Sequence, residues 1–257
     1  MRPRPEAARF HVEQVGRSGR GGPGRRGFPL RPSPALFTIH LAMLTDAELA
    51  GLLEPFGVTL TSRQIGQLRT YLERLLRWNV KINLTAIRRA EDCVTRHFGE
   101  SLYLARWAQL EGRLLDIGSG AGFPGLALKI SFPDLAVTLL EPTAKKRAFL
   151  KEVTRACEFQ GVEVCGQRLE EFAANEPRSL FDSATSRAVG HFPKLLPLAA
   201  RCLRPGGRLY LWLSREQGSQ LSPLTDRLRW DEPVPIPLTR TGDIWCGTRE
   251  SSPPGAA

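Results

Sequence analysis

The sequence predicts a doubly wound α/β fold, in which a mostly parallel sheet follows a helical subdomain. Three observations support it. From Arg113 onward, short apolar runs alternate with helical patterns, which is typical of parallel strands joined by crossover helices. One of these runs ends at Asp116 and leads through a glycine-rich turn toward a helix. Before that, between residues 43 and 110, apolar residues recur at helical spacing.

Two capping boxes mark helix starts within residues 43–110, which we predict to form the helical subdomain. They lie at 45–48 and 61–64, where an N-cap threonine precedes Glu48 or Gln64 by three residues. The second box opens the longer helix, whose leucines lie on one stripe. A further helix is predicted over about 90–107.

Residues 111–250 are predicted to form the sheet domain, with five parallel strands and a closing antiparallel pair. Its helices are predicted to begin near Pro124, Thr143, Leu169 and Phe192. The predicted strands are 114–117, 137–141, 162–165, 181–186 and 207–213, and the closing pair is 234–238 with 243–248.

The first 42 residues differ from the rest in composition. They contain eight arginines and two glutamates, and so carry six of the ten net positive charges of the chain. With almost nothing to bury, this Arg/Gly/Pro-rich extension is predicted to be disordered, as are residues 251–257. It is either a nucleic-acid-binding arm or, as we favour, an inert or untranslated extension ahead of a start at Met43.

Cysteine usage and hydropathy exclude several classes of protein. The five cysteines show neither C-x-x-C spacing nor a nearby histidine pair, so we expect no metal site and no disulfide framework. No apolar run approaches the ~20 residues needed to span a bilayer, and no signal-peptide core follows the basic start. We expect a cytoplasmic monomer that does not associate with membranes.

The glycine-rich turn is the strongest functional signal. Its pattern is G-x-G-x-G at Gly118, Gly120 and Gly122, and Phe123 stands where a dinucleotide fingerprint has its third glycine. No pyrophosphate-binding lysine follows the last glycine of the turn, which excludes a P-loop. About 20 residues on, Glu141 ends the next apolar run, where such folds place a ribose-binding carboxylate. The pattern resembles that of S-adenosylmethionine (SAM) methyltransferases, although a purely structural turn also uses glycine.

Several further motifs occur in the order expected of one family. They are Trp78-Asn79, Asn83-Leu84-Thr85, Arg96-His97, the turn at 116–125, and Ser186-Arg187-Ala188. From about Met43 to Arg249 the chain resembles the RsmG family, also called glucose-inhibited division protein B. That family uses SAM to methylate guanine N7 in small-subunit (16S) ribosomal RNA.

The resemblance implies both site residues and a partner. The partner is the small-subunit ribosomal RNA or the small ribosomal subunit. The implied SAM contacts are Gly118, Phe123, Leu169, Glu170 and Arg187, to which the ribose argument adds Glu141.

The chain departs from the family pattern at two places. Glu100-Ser101 stands where the family commonly has Asp-Ser, and Leu213-Ser214 replaces the usual Lys-Gly at the end of the fifth strand. The second departure puts activity, but not the fold, in question. Two alternative functions therefore stay open: a non-catalytic SAM-binding ribosome assembly factor, and a SAM-dependent methyltransferase that acts on a small molecule or a protein.

The predicted reaction requires no general base from the protein. Guanine N7 carries a lone pair and no proton, so alignment of the two reactants suffices. We assign no catalytic residue, and name Arg187 as a candidate for positioning. A structural role explains His97 at least as well as an RNA or cofactor contact does. For the Lys145–Arg147 cluster, a solvated face and phosphate contact are equally good explanations.

Overall fold

The computed structural model describes residues 44–175, 181–187, 190–221 and 227–251, all within one compact unit. The predicted extension 1–42 and all but the first residue of the 251–257 tail lie outside the described residues. In the described part, no helix is long and apolar enough to cross a membrane, and no group of three or more potential metal ligands occurs.

The two predicted capping boxes are confirmed. Helix α1 (Asp46–Leu53) starts after Thr45, and α2 (Ser62–Ile82) starts after Thr61. In each box the threonine hydroxyl accepts from the backbone N–H three residues on, and that residue's side chain accepts from the threonine N–H. A 3₁₀ turn (Glu54–Phe56) follows α1.

The predicted helix over 90–107 is helical throughout, but it is not one α-helix. It consists of α3 (Ala90–Cys93), a π-helical turn (Val94–Gly99), α4 (Glu100–Leu102) and a 3₁₀ turn (Tyr103–Arg106). A Cβ on Gly99 would lie 2.4 Å from the Phe56 ring, so glycine permits the close approach of the π turn to that side chain. A π turn of this kind often marks a functional site.

Eight strands of the described residues form one sheet in the order β3-β2-β1-β4-β5-β8-β6, with β7 paired to β8. Strands β1 to β5 are parallel and β8 runs antiparallel to its neighbours, which confirms the predicted sheet. The strands are β1 (Arg113–Ile117), β2 (Ala136–Leu140), β3 (Val162–Cys165), β4 (Phe181–Arg187), β5 (Leu203–Ser214), β6 (Leu228–Trp230), β7 (Val234–Pro235) and β8 (Gly242–Arg249).

In the described part of the chain, five helices connect or follow these strands. Helices α7 and α8 pack on the sheet in one hydrophobic cluster that includes Leu115 and Ile117 of β1. Asp116 points to the other face of β1, where it lies against Gly125 at the start of α5. Helix α2 packs on α5 and α6. The five helices are α5 (Gly125–Ser131), α6 (Ala144–Ala156), α7 (Leu169–Asn175), α8 (Phe192–Cys202) and α9 (Arg215–Gly218).

The remaining differences from prediction are local. Pro124 is the N-cap of α5 rather than its first residue, and the Phe123–Pro124 peptide is cis. Strand β5 starts at Leu203, earlier than predicted, because Leu203 already pairs with Phe181 of β4, and a register shift separates this pair from the regular pairing that begins at Arg208. In the closing part of the sheet, β7 is shorter than predicted and β6 was not predicted.

Candidate cofactor site

The glycine-rich turn lies at the carboxyl end of β1, at the point where the strand order reverses. Ligands of doubly wound folds bind at this position. Gly118, Gly120 and Gly122 all have φ in the left-handed region, at 73°, 57° and 90°. The Ser119 N–H donates to the Leu140 carbonyl at 3.0 Å, which ties the turn to the end of β2.

The last two glycines serve different purposes. Among the described residues, a Cβ on Gly120 would come within 4 Å only of the Gly118 carbonyl oxygen, at 3.8 Å, so the space above this residue is open to a ligand. A Cβ on Gly122 would lie 2.3 Å from the Tyr71 hydroxyl, so this glycine is required by packing.

Glu141 is buried beneath the turn. One carboxylate oxygen accepts from the Gly120 N–H at 3.0 Å and the other from the Thr143 N–H at 2.7 Å. Each oxygen keeps a second lone pair that can accept another hydrogen bond. The residue predicted to bind a ribose therefore also holds the turn in place.

Asp116 is fully buried at the end of β1 and accepts from the Thr185 hydroxyl at 2.9 Å. Burial raises the pKa of Asp116 to about 6, although hydrogen bonds from Ser119, Thr185 and Gly125 favour the charged form. Gly125 is needed here, because a Cβ would lie 2.7 Å from the carboxylate.

A cleft of about 320 Å³ opens beside the turn, at the ends of β1, β2 and β3. It brings together three of the predicted cofactor residues, Gly118, Leu169 and Glu170. Glu141 lies between two residues that line it, Leu140 and Pro142. Phe123 and Arg187 do not line this cleft.

Phe123 instead belongs to an aromatic cluster with Tyr71, His97 and Phe98. Its ring stacks on Tyr71 at 5.2 Å and on His97 at 4.9 Å, and meets Phe98 edge-on at 5.0 Å. The aromatic cluster therefore joins the helical subdomain to the glycine-rich turn. Sequence reasoning missed Tyr71, although it falls three residues after Leu68 on the apolar stripe of α2.

Tyr71 anchors the turn directly. Its hydroxyl is buried and donates to the Ala121 carbonyl at 2.5 Å, and burial raises the pKa of Tyr71 well above its ordinary value.

Tyr71→Phe should destabilise the fold by about 1–3 kcal/mol, because the buried carbonyl loses its donor. It should also weaken cofactor binding, measured by calorimetry beside thermal unfolding. Tyr103→Phe, at a half-buried tyrosine, is the control, and equal cofactor affinity in both variants would contradict the anchoring role.

Arg187 follows Ser186, which pairs with Ile117 directly before the turn, so its backbone lies at the carboxyl edge as predicted. Its side chain reaches the helical subdomain, where Nη2 donates to Glu100 Oε2 at 2.5 Å and to the Arg96 carbonyl at 2.7 Å. Burial lowers the pKa of Arg187 and raises that of Glu100, whereas each charge favours the ionised form of the other. Nη1 is buried and finds no acceptor among the described residues.

The other motif residues have structural partners. The Asn79 side chain is buried and bonds the Thr85 N–H and the Ile87 carbonyl. The Thr85 hydroxyl contacts His97 Nε2 at 2.8 Å. Burial, with Arg187 and Arg96 nearby, lowers the pKa of His97 to about 3, so the ring is neutral.

Two further sequence features are explained by local contacts. Arg147 donates to the carbonyls of Glu141 and Pro142 at 3.1 and 2.6 Å, so one member of the Lys145–Arg147 cluster fixes the end of β2. Leu213 is buried and Ser214 caps α9, so the replacement of Lys-Gly is accommodated within the fold.

The fold is the Rossmann-like fold of SAM-dependent methyltransferases. It is similar to that of the tRNA (m1A58) methyltransferase TrmI from Aquifex aeolicus, at TM-score 0.50 and 16% identity over 59% of this chain and 68% of that one. A ribosomal protein L11 methylase from Lactobacillus delbrueckii subsp. bulgaricus gives TM-score 0.51 and 12% identity, over 61% of this chain and 80% of that one.

The particular family is shown by sequence. The model of the GidB family, rRNA small subunit methyltransferase G, matches residues 64–234, and the chain belongs to this family. A ribosomal RNA small subunit methyltransferase G from Chloroflexus aggregans is 41% identical over 169 residues, covering 65% of this chain and 71% of the relative. Its counterpart from Dehalococcoides mccartyi strain CBDB1 is 44% identical over 165 residues, covering 63% and 70%.

Proposed function

We propose that this protein transfers a methyl group from SAM to N7 of a guanine in small-subunit ribosomal RNA. The observation that carries the proposal is the family match over residues 64–234, because that stretch contains the whole candidate cofactor site. The proposed partner is the small subunit or its RNA, which places the protein in the cytoplasm, and we propose that it acts as a monomer.

The described residues fit SAM. Glu141 has lone pairs free for the two ribose hydroxyls, and the space above Gly120 admits a ligand close to the backbone. Leu140, Leu169 and Leu198 give the cleft apolar walls for a purine ring. Phe123 supports the turn from the opposite side through the aromatic cluster.

The chemistry requires positioning. When bound, SAM supplies an electrophilic methyl group on a sulfonium centre. Because guanine N7 has no proton to lose, the protein needs no general base and must instead hold the acceptor in line. Arg187 is suited to positioning, since Glu100 and the Arg96 carbonyl fix one nitrogen of its guanidinium and leave Nη1 available.

Methyl transfer from labelled SAM to small subunits, with naked small-subunit RNA and large subunits alongside, tests the function. The subunits should come from cells lacking their own enzyme of this family, and the product should be mapped by reduction and strand cleavage at N7-methylguanine. Methylation at cytosine C5 or adenine N6 contradicts the mechanism. Binding of SAM with no transfer would favour the non-catalytic assembly factor.

The cofactor assignment predicts that Gly120→Val lowers SAM affinity at least tenfold, or about 1.4 kcal/mol. A branched side chain would enter the open space above the turn, and valine is strained at a φ of 57°. Calorimetry should compare it with Gly120→Ala, which adds the strain with less bulk. Gly51→Val, on the open surface of α1, controls for a β-branched residue elsewhere. Unchanged SAM affinity in Gly120→Val would show that the cofactor does not bind at this turn.

A further inference from the structure

A groove of about 540 Å³ lies beside α6, separate from the cofactor cleft. We call it the α6 groove. Its walls come from the first turn of α2, the second half of α6 and strand β3. Its cations are Arg63, Lys151 and Arg155, and its apolar surface includes Phe159, Val162 and Val164.

The three cations are exposed and lack a charge partner. None of them has an ion pair or a hydrogen bond to any residue that the structure describes. Neighbouring arginines on α2 are paired, Arg69 with Asp46 and Arg74 with Glu152. Among the described residues that line the groove, Glu158 is the one carboxylate, so these residues carry a net positive charge. Three uncompensated cations around one groove favour an anionic partner.

The floor of the groove indicates what kind of anion fits. Phe159 is buried, and Val162 and Val164 are half-buried on β3, which lies at the end of the strand order. Lys151 and Arg155 are one helical turn apart, about 6 Å along the axis. An extended polyanion with apolar faces, such as single-stranded RNA, can place phosphates on such cations and sugars or bases on such a floor.

The α6 groove and the cofactor cleft lie toward opposite ends of β3. The groove is lined where α6 ends and β3 begins, and the cleft lies at the carboxyl ends of the strands. Val164, near the end of β3, lines the groove, and Gln167 and Arg168, a few residues further along the same chain, line the cleft. The span from Val164 to Arg168 is at most about 14 Å of extended chain.

We propose that the α6 groove binds the phosphodiester backbone of a ribosomal RNA segment away from the target nucleotide. This inference rests on the proposed function and adds a second surface that selects the substrate. RNA is favoured over an acidic protein segment because the groove combines unpaired positive charges with an apolar floor that sugars or bases can contact.

The test is the full-length triple variant Arg63→Gln/Lys151→Gln/Arg155→Gln. Its KM for small subunits should rise at least tenfold, while kcat at saturating subunits and SAM affinity stay unchanged. The slope of log affinity against log salt should flatten by about 2, since each contact to single-stranded RNA contributes about 0.7. Arg89→Gln/Arg229→Gln/Arg240→Gln, which removes the same charge at other exposed sites, should leave the KM and the slope close to wild type.

The outcomes separate this inference from the proposed function. If wild type transfers methyl groups and both triple variants have the same KM and slope, the groove assignment is wrong. If wild type transfers none, the proposed function fails, and binding of labelled small-subunit RNA still tests the groove: equal affinity in wild type and variant overturns it. If the groove variant binds naked RNA normally but binds assembled subunits weakly, the groove contacts a ribosomal protein, which also overturns the RNA assignment.

Discussion

Arg187→Ala is expected to lower kcat for methyl transfer by about 100-fold or more while the protein stays folded. Misplacing reactants by about 1 Å, or removing one well-placed donor, has effects of this size. Arg187 lies beside the glycine-rich turn, and its buried Nη1 has no acceptor among the described residues. Buried donors without an acceptor are rare, and a bound ligand can supply the acceptor at this position.

Glu100 should act through Arg187. Glu100→Gln removes the charge that orients the guanidinium, and we expect it to lower kcat by at least tenfold with a smaller change in KM for SAM. Arg187→Lys should recover little activity, because an ammonium cannot bond Glu100 and the Arg96 carbonyl while also presenting a planar second nitrogen.

The matched control is Arg204→Ala. Arg204 pairs with Asp182 at 2.6 Å near the amino end of β4, the opposite end of the strand that carries Arg187. Its loss should leave kcat unchanged. Circular dichroism and thermal unfolding check that each variant is folded. Wild-type kcat in folded Arg187→Ala would exclude a positioning role.

Asp116→Asn is expected to change how stability depends on pH. Because burial raises the pKa of Asp116 to about 6, the unfolded chain loses this proton at lower pH than the folded chain does. The Asp116 contribution to stability is therefore complete below about pH 4 and is lost as pH rises through 6. Relative to wild type, the asparagine variant should gain about 2 kcal/mol between pH 4 and pH 7.

Denaturant unfolding of both proteins at pH 4, 5, 6 and 7 measures this difference. Asp182→Asn is the control of opposite sign. Burial alone would raise the pKa of Asp182, but hydrogen bonds from the Arg113 N–H and from Arg204 outweigh it and lower the pKa. Wild-type Asp182 therefore contributes stability above its unfolded pKa, and this is lost as pH falls through the folded value. A constant difference between wild type and Asp116→Asn would show that Asp116 ionises normally.

The sequence was sufficient where the signal is local. Capping boxes depend on residues three apart, and the alternation of apolar runs with helices determines a parallel sheet, so both were predicted correctly. The cleft also follows from a general rule, because ligands bind where the strand order reverses. The structure brings Gly118, Leu169 and Glu170 together at this position.

The sequence was insufficient where partners are far apart in the chain. Tyr71 and Ala121 are 50 residues apart, and Arg187 and Glu100 are 87 apart, so no spacing rule connects them. The π turn brings Gly99 against the Phe56 ring, a contact that no propensity encodes. The α6 groove needs Arg63 of α2 beside Arg155 of α6, and only the folded chain places them together.

The aromatic cluster has a consequence for how this protein can be divided. Tyr71, His97 and Phe98 precede the sheet in sequence, yet they form the surface on which Phe123 and the glycine-rich turn rest. A fragment beginning at Arg113 would retain every strand and lose the support of its ligand-binding turn. The helices are thus not an accessory module that could be exchanged among enzymes to alter substrate choice. Because the helices and the turn pack against each other through the aromatic cluster, a substitution in the helices must be matched by one at the turn.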